Sequence, residues 1–210
     1  METKFNLVNL FSIPLIQVDV EEDTDELLSC NDFILSDLQS DNKEMPVNYY
    51  RILERYPNIK TILLQYINKA LCEYMTYDAN FDISTSWLTN NSKGDSSQLH
   101  NHRNCFWSGI YYFDEYTENS GKLSLVNPIR FFSSYLIKFK QNSPATAESM
   151  TVKPKSKSLI LFPSYIEHKI LEHNDDNERK SLAFNIIPES EIGGGDSTYN
   201  PLWVTEWGNN

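Results

Sequence analysis

Strand-forming residues alternate with polar ones in the second part of the chain. Phe81, Ile83, Thr85 and Trp87 show the period of two that is typical of a half-buried strand. Six more β-rich runs follow between clusters of Asn, Gly, Pro and Asp, at 106–113, 122–126, 131–139, 158–162, 166–170 and 181–187. Many short strands without interleaved helices predict an antiparallel sandwich or barrel, such as a jelly roll.

A helical pattern precedes these strands. From Pro57, apolar residues recur at helical spacing on one stripe, and Lys60 and Glu73 lie on the other face; the stripe comprises Ile59, Leu63, Tyr66, Ile67, Ala70, Leu71 and Tyr74. A helix with one apolar stripe must bury it, so we expect this helix to pack on the outside of the sheet. Residues 7–20 are predicted to form a strand.

The predicted fold class is therefore mainly β with flanking N-terminal helices, arranged as a double-stranded β-helix, or jelly roll. We expect a single domain over residues 1–210. Within it, residues 1–80 would supply the N-terminal strand and supporting helices, residues 81–187 the jelly-roll core, and residues 188–210 a C-terminal extension.

Composition narrows the class of protein. The 210 residues are 40% hydrophobic and 13% aromatic, which is enough to fill a core, and the net charge of −11 argues against nucleic acid as a partner. The three cysteines are too few and too widely spaced for a disulfide framework, which favours a reducing compartment such as the cytoplasm. No apolar run approaches the ~20 residues that a membrane helix needs.

Histidines are the first candidate chemistry. His100 and His102 are two residues apart, so on a strand both imidazoles project from one face and can converge on one metal ion. Such a pair also occurs in purely structural or exposed positions. His168 lies at the start of a predicted strand, where a sandwich can bring it to the same place, whereas His173 is expected on the surface.

A second candidate group lies at the last predicted strand. Arg179 and Ser181 are also two residues apart and share a face. A guanidinium suits bidentate binding of a carboxylate, and the Ser181 hydroxyl can add a hydrogen bond. A single arginine on the surface more often forms an ordinary ion pair.

These elements together resemble a known family. The order of the motifs is similar to that in the 2-oxoglutarate- and Fe(II)-dependent oxygenases of marine phages and bacteria, and the resemblance extends well over residues 81–187. The residues that carry it are His100-Asn101-His102, Ser108-Gly109-Ile110-Tyr111-Tyr112, Leu159-Ile160-Leu161-Phe162-Pro163-Ser164, His168, and Arg179-Lys180-Ser181 with Phe184-Asn185.

The resemblance implies an enzyme that uses Fe(II), 2-oxoglutarate and O2 to hydroxylate a C–H bond, with release of succinate and carbon dioxide. It implies that His100, His102 and His168 are the metal ligands, that Arg179 and Ser181 bind 2-oxoglutarate, and that no further residue is catalytic. Trp87, Trp107 and Tyr111 lie on strands that should border the iron. We assign Tyr111 to the 2-oxoglutarate site and the two tryptophans to the substrate, with packing in the core as the alternative for each. The acceptor would be a small molecule or a protein side chain.

One position departs from the wider superfamily, which usually has two histidines and a carboxylate as ligands. Here His102 stands where the carboxylate is expected, and Asp95 is the nearest alternative ligand in the preceding loop. Two other hypotheses therefore stay open. The first is a cupin-like metalloprotein with three histidines that does not use 2-oxoglutarate, and the second is a metal-free jelly-roll binding or structural module.

For the cellular location and the oligomeric state, only general expectations follow from the sequence. We expect a cytoplasmic protein, in the host cytoplasm if the chain belongs to a phage. A homodimer is compatible with the aromatic segment at 199–207, which has the composition to cover a sheet edge in its own chain or in a neighbour's.

Overall fold

The computed structural model describes residues 12–30, 33–35, 47–129, 140, 143 and 146–198. Its helices are one α-helix, α1 (Pro57–Asn68), which continues as a π-helix (Lys69–Tyr74), and 3-10 helices at Asp25–Ser29, Val47–Tyr50, Ile52–Glu54 and Gly195–Ser197. Its strands are β1 (Ile16–Asp19), β2 (Phe33–Leu35), β3 (Phe81–Asn91), β4 (Trp107–Tyr112), β5 (Leu123–Val126), β6 (Ser149–Val152), β7 (Ser158–Pro163), β8 (His168–Ile170) and β9 (Arg179–Pro188).

The strands form two sheets. The major sheet has the order β1-β7-β4-β9-β3-β2 and is antiparallel except for the β2–β3 pair. The minor sheet has the order β6-β5-β8 and is antiparallel throughout. The mainly β class and the jelly-roll architecture expected from the sequence are confirmed.

The π-extended helix covers one face of the major sheet, as predicted. Pro57 at the first helical turn suits the fixed backbone angle of a helix start, and the apolar stripe of α1 is buried through Ile59, Leu63 and Ile67. Its polar face joins β3 through Lys60, whose Nζ lies 2.9 Å from the Asp82 carboxylate. None of the helices in the described part of the chain is long and apolar enough to cross a membrane.

The other face of the major sheet meets the minor sheet. A smaller apolar cluster fills this space and includes Ile110, Tyr112, Leu123, Ile160 and Phe162. The adjacent interior strands β4 and β7 are consequently buried on both faces, because helices lie on one side and the minor sheet on the other. Side chains that alternate along these strands therefore belong to two different cores.

Six of the predicted strand runs correspond to strands, with ends that differ by a few residues. The predicted run at 7–20 contains β1, and residues 1–11 lie outside the described residues. The predicted strand at 131–139 also lies outside them. Strand β6 was not predicted, since Ser149 to Val152 alternate weakly and are mostly exposed.

Candidate active site

One cavity opens between the two sheets and gathers most of the candidate residues. It encloses about 700 Å³ of empty space, including its mouth open to solvent. The lining residues from the candidates named above are Trp87, His100, His102, His168 and Ser181, and further lining residues are Thr89, Asn90, Asn91, Ser97, Ser108, Gly109, Ile110, Phe162, Ile170 and Ala183.

The three histidines converge at one end of this cavity. One ligand nitrogen of each lies within 4.8 Å of the others, which is the spacing of groups that can share a metal ion. An isolated antiparallel bridge between His100 and His168 holds the first histidine beside β8. The cluster ranges from exposed His100, through half-buried His102, to His168, which is buried.

Each imidazole is oriented by an acceptor at Nδ1. The Gln98 carbonyl oxygen lies 2.8 Å from Nδ1 of His100, and the Ile166 carbonyl oxygen lies 2.9 Å from Nδ1 of His168. A carbonyl oxygen only accepts, so Nδ1 carries the proton in both rings and Nε2 keeps its lone pair. These are the tautomers that metal ligation through Nε2 requires.

His102 is oriented by a side chain instead. Its Nδ1 lies 2.5 Å from Oδ1 of Asn185 and 3.3 Å from the Ser108 hydroxyl. The Asn185 amide is itself held, because its Nδ2 donates to Thr85 Oγ1 at 2.8 Å. Asn185 therefore presents its oxygen to the imidazole and fixes the same tautomer as in the other two rings.

Burial favours the neutral forms of His102 and His168. It lowers the pKa of His168 to about 4 and lowers the pKa of His102 below its ordinary value. Mutual repulsion among the three rings acts in the same direction, as a smaller cause. Neutral imidazoles are the form that binds a metal ion.

Asp95 does not join the histidine cluster. Its carboxylate accepts a hydrogen bond from the Ser92 backbone N–H at 2.8 Å, within a turn of the β3–β4 connection. Of the two ligand sets left open by the sequence, the described residues bring together the one with three histidines.

Arg179 lies directly behind the cavity wall. Its side chain is buried, with 1% relative exposure, and its described partners are all neutral. Nε donates to the Gly121 carbonyl at 2.9 Å, Nη1 donates to Asn91 Oδ1 and to the Ser181 hydroxyl at 3.2 Å each, and Nη2 donates to the Tyr112 hydroxyl at 3.2 Å. A fully buried cation of this kind is costly without a negative partner.

The aromatic candidates are divided between the two cores. Trp87 lines the cavity, and its ring lies 5.7 Å from the His102 ring, between centroids. Trp107 packs in the core beneath the helix, with an edge contact to Tyr77 at 6.5 Å. Trp107 is thus not among the residues that line the cavity.

Tyr111 also lies on the helix side of β4. Its hydroxyl bonds the Thr24 hydroxyl at 2.7 Å, and it belongs to the core of the helical layer. The neighbouring Tyr112 lies on the other face of β4. The Arg179 guanidinium lies over its ring, with Cζ 5.2 Å from the ring centroid. The structure therefore brings Tyr112, and not Tyr111, against the arginine.

His173 is not on the surface, contrary to the prediction. It has 1% relative exposure, because the β8–β9 loop folds back between residues 94–95 and Gly121. The prediction assumed a continuing strand, but β8 ends at Ile170.

Comparison with known proteins identifies the class. Residues 85–185 match the family model described as "Putative 2OG-Fe(II) oxygenase". Over this segment, which is just under half of the chain, the protein resembles the 2OG-Fe(II) oxygenase family. The matched segment contains the three clustered histidines, Arg179 and Ser181. The resemblance to 2OG-Fe(II) oxygenases expected from the sequence is confirmed over this segment.

Solved structures share the fold of this chain at low sequence identity. A Pseudomonas putida prolyl-4-hydroxylase has 13% identity and a TM-score of 0.50, with 90% of this chain and 89% of that chain covered. HygX from Streptomyces hygroscopicus, with nickel and 2-oxoglutarate bound, has 11% identity and a TM-score of 0.50, with 84% and 83% covered.

A 2OG-Fe(II) oxygenase family oxidoreductase from Burkholderia pseudomallei has 13% identity and a TM-score of 0.46; 60% of this chain and 56% of that chain are covered. The alignment thus spans little more than half of the Burkholderia protein. No curated protein is a significant sequence match.

Several residues of the site escaped sequence reasoning. Asn185 was noted only as part of a motif, and Thr89, Asn91 and Tyr112 were given no role. The available signal was a run of polar residues on alternate positions of strands otherwise rich in buried apolar side chains. Such residues need partners inside the fold, so each is a candidate for a site.

Proposed function

We propose that this protein is an oxygenase that binds Fe(II) through His100, His102 and His168 and binds 2-oxoglutarate beside Arg179. It hydroxylates a C–H bond in an uncharged part of the acceptor, which is held against Trp87. The observation that carries the proposal is the pairing, across one cavity wall, of three clustered imidazoles with a buried arginine that has no acidic partner in the described residues. When bound, iron would activate O2, the oxidant, whose two oxygen atoms would end in the succinate formed from 2-oxoglutarate, with release of carbon dioxide, and in the hydroxylated acceptor.

The metal end fits iron by donor type. Three imidazole nitrogens suit Fe(II), and with only three ligands from the protein, positions stay available for the co-substrate and O2. The hydrogen bonds at Nδ1 direct the free nitrogen of each ring to the cluster. Because all three ligands are neutral, they offset none of the metal charge, and a dianion such as 2-oxoglutarate is correspondingly favoured.

The arginine end fits the far carboxylate of 2-oxoglutarate. Four of the five guanidinium N–H groups have neutral partners among the described residues, so the positive charge has no anion to offset it. Ser181 lies on the cavity wall between Arg179 and the open space, and its hydroxyl also bonds Thr89 at 2.8 Å. Burial raises the pKa of Tyr112 and keeps its hydroxyl protonated, so this group remains available as a donor.

The acceptor is constrained by what lines the cavity. Its wall contains neither acidic nor basic side chains apart from the histidines, in the described part of the chain. Trp87 forms an apolar wall beside His102, and Tyr50 makes an edge contact with it at 6.4 Å. We therefore assign the contact with the substrate to Trp87 rather than to Trp107. The part of the substrate held there would be an uncharged portion of a small molecule or of a protein side chain.

Location and partners complete the proposal. The three cysteines are free, with Cys30 buried and Cys72 and Cys105 half-buried, which supports a reducing compartment such as the cytoplasm. The net charge of −11 supports an acceptor that is not a nucleic acid.

The decisive experiment is an anaerobic titration of the Fe(II)-loaded protein with 2-oxoglutarate. Chelation of iron by a 2-oxo acid produces a visible charge-transfer band, and binding at 100 times Kd should raise the free energy of unfolding by about 2.7 kcal/mol. A band that fails to form on iron-loaded protein would refute the use of 2-oxoglutarate and favour a metalloprotein of another chemistry.

Arg179→Lys locates the carboxylate site. The variant keeps a positive charge but loses the planar fork, so the Kd for 2-oxoglutarate should rise about tenfold or more while Fe(II) affinity stays within about twofold. Lys155→Ala is the matched control, since it removes a cation that pairs with Asp19 at the surface. An unchanged Kd in Arg179→Lys would place the co-substrate elsewhere.

A further inference from the structure

His173 has both ring nitrogens occupied inside the protein. The Gly121 backbone N–H donates to Nδ1 at 3.2 Å, and Nε2 lies 2.6 Å from the Asn177 carbonyl oxygen. An N–H only donates and a carbonyl only accepts, so Nδ1 is unprotonated and Nε2 carries the hydrogen. The contacts therefore fix one neutral tautomer, opposite to the one found in the three clustered histidines.

Gly121 links this imidazole to the arginine. Its N–H donates to His173, and its carbonyl accepts the Nε–H of Arg179 at 2.9 Å. The glycine is tightly packed, because a Cβ at this position would lie 2.6 Å from the Leu171 carbonyl oxygen. The backbone of residue 121 thus packs against the loop that carries His173, whose imidazole accepts the Gly121 N–H while the Gly121 carbonyl accepts from Arg179.

The loop itself is anchored. The His173 N–H donates to the Asp95 carbonyl at 2.9 Å, and the Gly94 N–H donates to the His173 carbonyl at 2.7 Å. The neighbouring Asn174 N–H donates to the Asn119 carbonyl at 3.0 Å. With its backbone held on both sides, His173 can act as a fixed support for Gly121.

We infer that His173 is a positioning residue for Arg179, acting through Gly121. The Gly121 carbonyl receives Nε, and the direction of the Nε–H bond sets the plane of the guanidinium and the positions of its two Nη groups. This inference rests on the proposed role of Arg179 in binding 2-oxoglutarate. If His173 has this role, the affinity for 2-oxoglutarate depends on a histidine that contacts neither the metal nor 2-oxoglutarate.

Two polar variants separate the two nitrogens of the ring. In His173→Asn the amide oxygen replaces Nδ1 and accepts from Gly121, whereas in His173→Gln the longer amide replaces Nε2 and reaches only Asn177. We expect the Kd for 2-oxoglutarate, from the charge-transfer titration, to stay within about threefold in His173→Asn and to rise about tenfold in His173→Gln. Fe(II) affinity should stay within about twofold in both variants.

Asn174→Ala is the matched control in the same loop, because the Asn174 side chain reaches only the Glu172 carbonyl, at 3.5 Å. It should leave both affinities unchanged. Equal 2-oxoglutarate affinities in the wild type, His173→Asn and His173→Gln would overturn the inference. A loss of Fe(II) affinity equal to the loss of 2-oxoglutarate affinity would also overturn it, because it would indicate a general disturbance of the fold.

A second measurement does not need the co-substrate. The Nε–H of Arg179 should give a slowly exchanging signal in a proton–nitrogen NMR spectrum, assigned by its loss in Arg179→Lys. Its exchange with water should accelerate about tenfold in His173→Gln and remain near the wild-type rate in His173→Asn. Unchanged exchange in His173→Gln refutes the positioning role, whereas a wild-type protein that binds no 2-oxoglutarate refutes the proposed function alone.

Discussion

The two ends of the cavity are assembled in opposite ways. At the metal end, His100 and His168 are each oriented by a carbonyl two residues earlier in the chain, and His100 is exposed. At the arginine end, three partners of Arg179 come from 58, 67 and 88 residues away along the chain, and its side chain is buried. The rings of His100 and His168 are thus oriented by local contacts, whereas the guanidinium of Arg179 is held mainly by tertiary ones.

This difference has an energetic consequence. A neutral imidazole loses less solvation on burial than a charged guanidinium, which needs an anion to recover what it loses. Buried Arg179 is therefore costly by itself, and the proposed binding of 2-oxoglutarate would supply the anion that its described partners lack. His102 stands between the two cases, because its partner Asn185 belongs to β9, the strand that begins at Arg179.

Replacing His168 should have the largest effect on Fe(II) binding. In His168→Ala two imidazoles remain, so Fe(II) affinity should fall by more than about 100-fold, the upper range for loss of a group that merely supports a ligand. Succinate formation should drop to the background without iron, with a melting temperature measured alongside to verify folding. Turnover at the wild-type rate would exclude His168 as a ligand.

Asn185 tests whether a tertiary contact matters at the metal end. Asn185→Ala removes the acceptor at Nδ1 of His102, and Fe(II) affinity should fall by about 10- to 100-fold. Asn185→Asp keeps an acceptor oxygen at this position, so its Fe(II) affinity should be at least about tenfold higher than that of Asn185→Ala. If both variants bind iron as the wild type does, His102 is held by other contacts or is not a ligand.

The smallest effect distinguishes two adjacent tyrosines. Tyr112→Phe removes a hydroxyl that contacts Arg179, and the Kd for 2-oxoglutarate should rise about fivefold, the worth of one ordinary hydrogen bond. Tyr111→Phe removes only the contact with Thr24, so it should leave this Kd unchanged and lower the free energy of unfolding by about 1 kcal/mol. The reverse pattern in the titration would assign the co-substrate to the other face of β4.

Local pattern predicted the parts of the site that lie close together in the chain. His100 and His102 converge because residues two apart project from one face, and Arg179 contacts Ser181 for the same reason. The helix starting at Pro57 followed from its apolar stripe. These predictions needed only the geometry of a strand or a helix.

The sequence did not indicate which face of β4 points to the cavity. Strand β4 is buried along its whole length on both faces, so Trp107, Tyr111 and Tyr112 are equally apolar in their surroundings and no alternation marks the inner side. The sequence therefore assigned Tyr111 and Trp107 to the site, although the structure places both beneath the helix.

The sequence by itself determined a mainly β chain, a resemblance to the 2OG-Fe(II) oxygenases and a set of candidate histidines and an arginine, because these depend on short-range periodicity and on ordered motifs. Only the tertiary structure decided that Tyr112 meets Arg179, that Asn185 orients His102, and that His173 is buried behind Gly121. Each of these contacts joins segments that are far apart in the chain. Their pairing is set by the packing of two sheets and a helix layer, which no local pattern encodes.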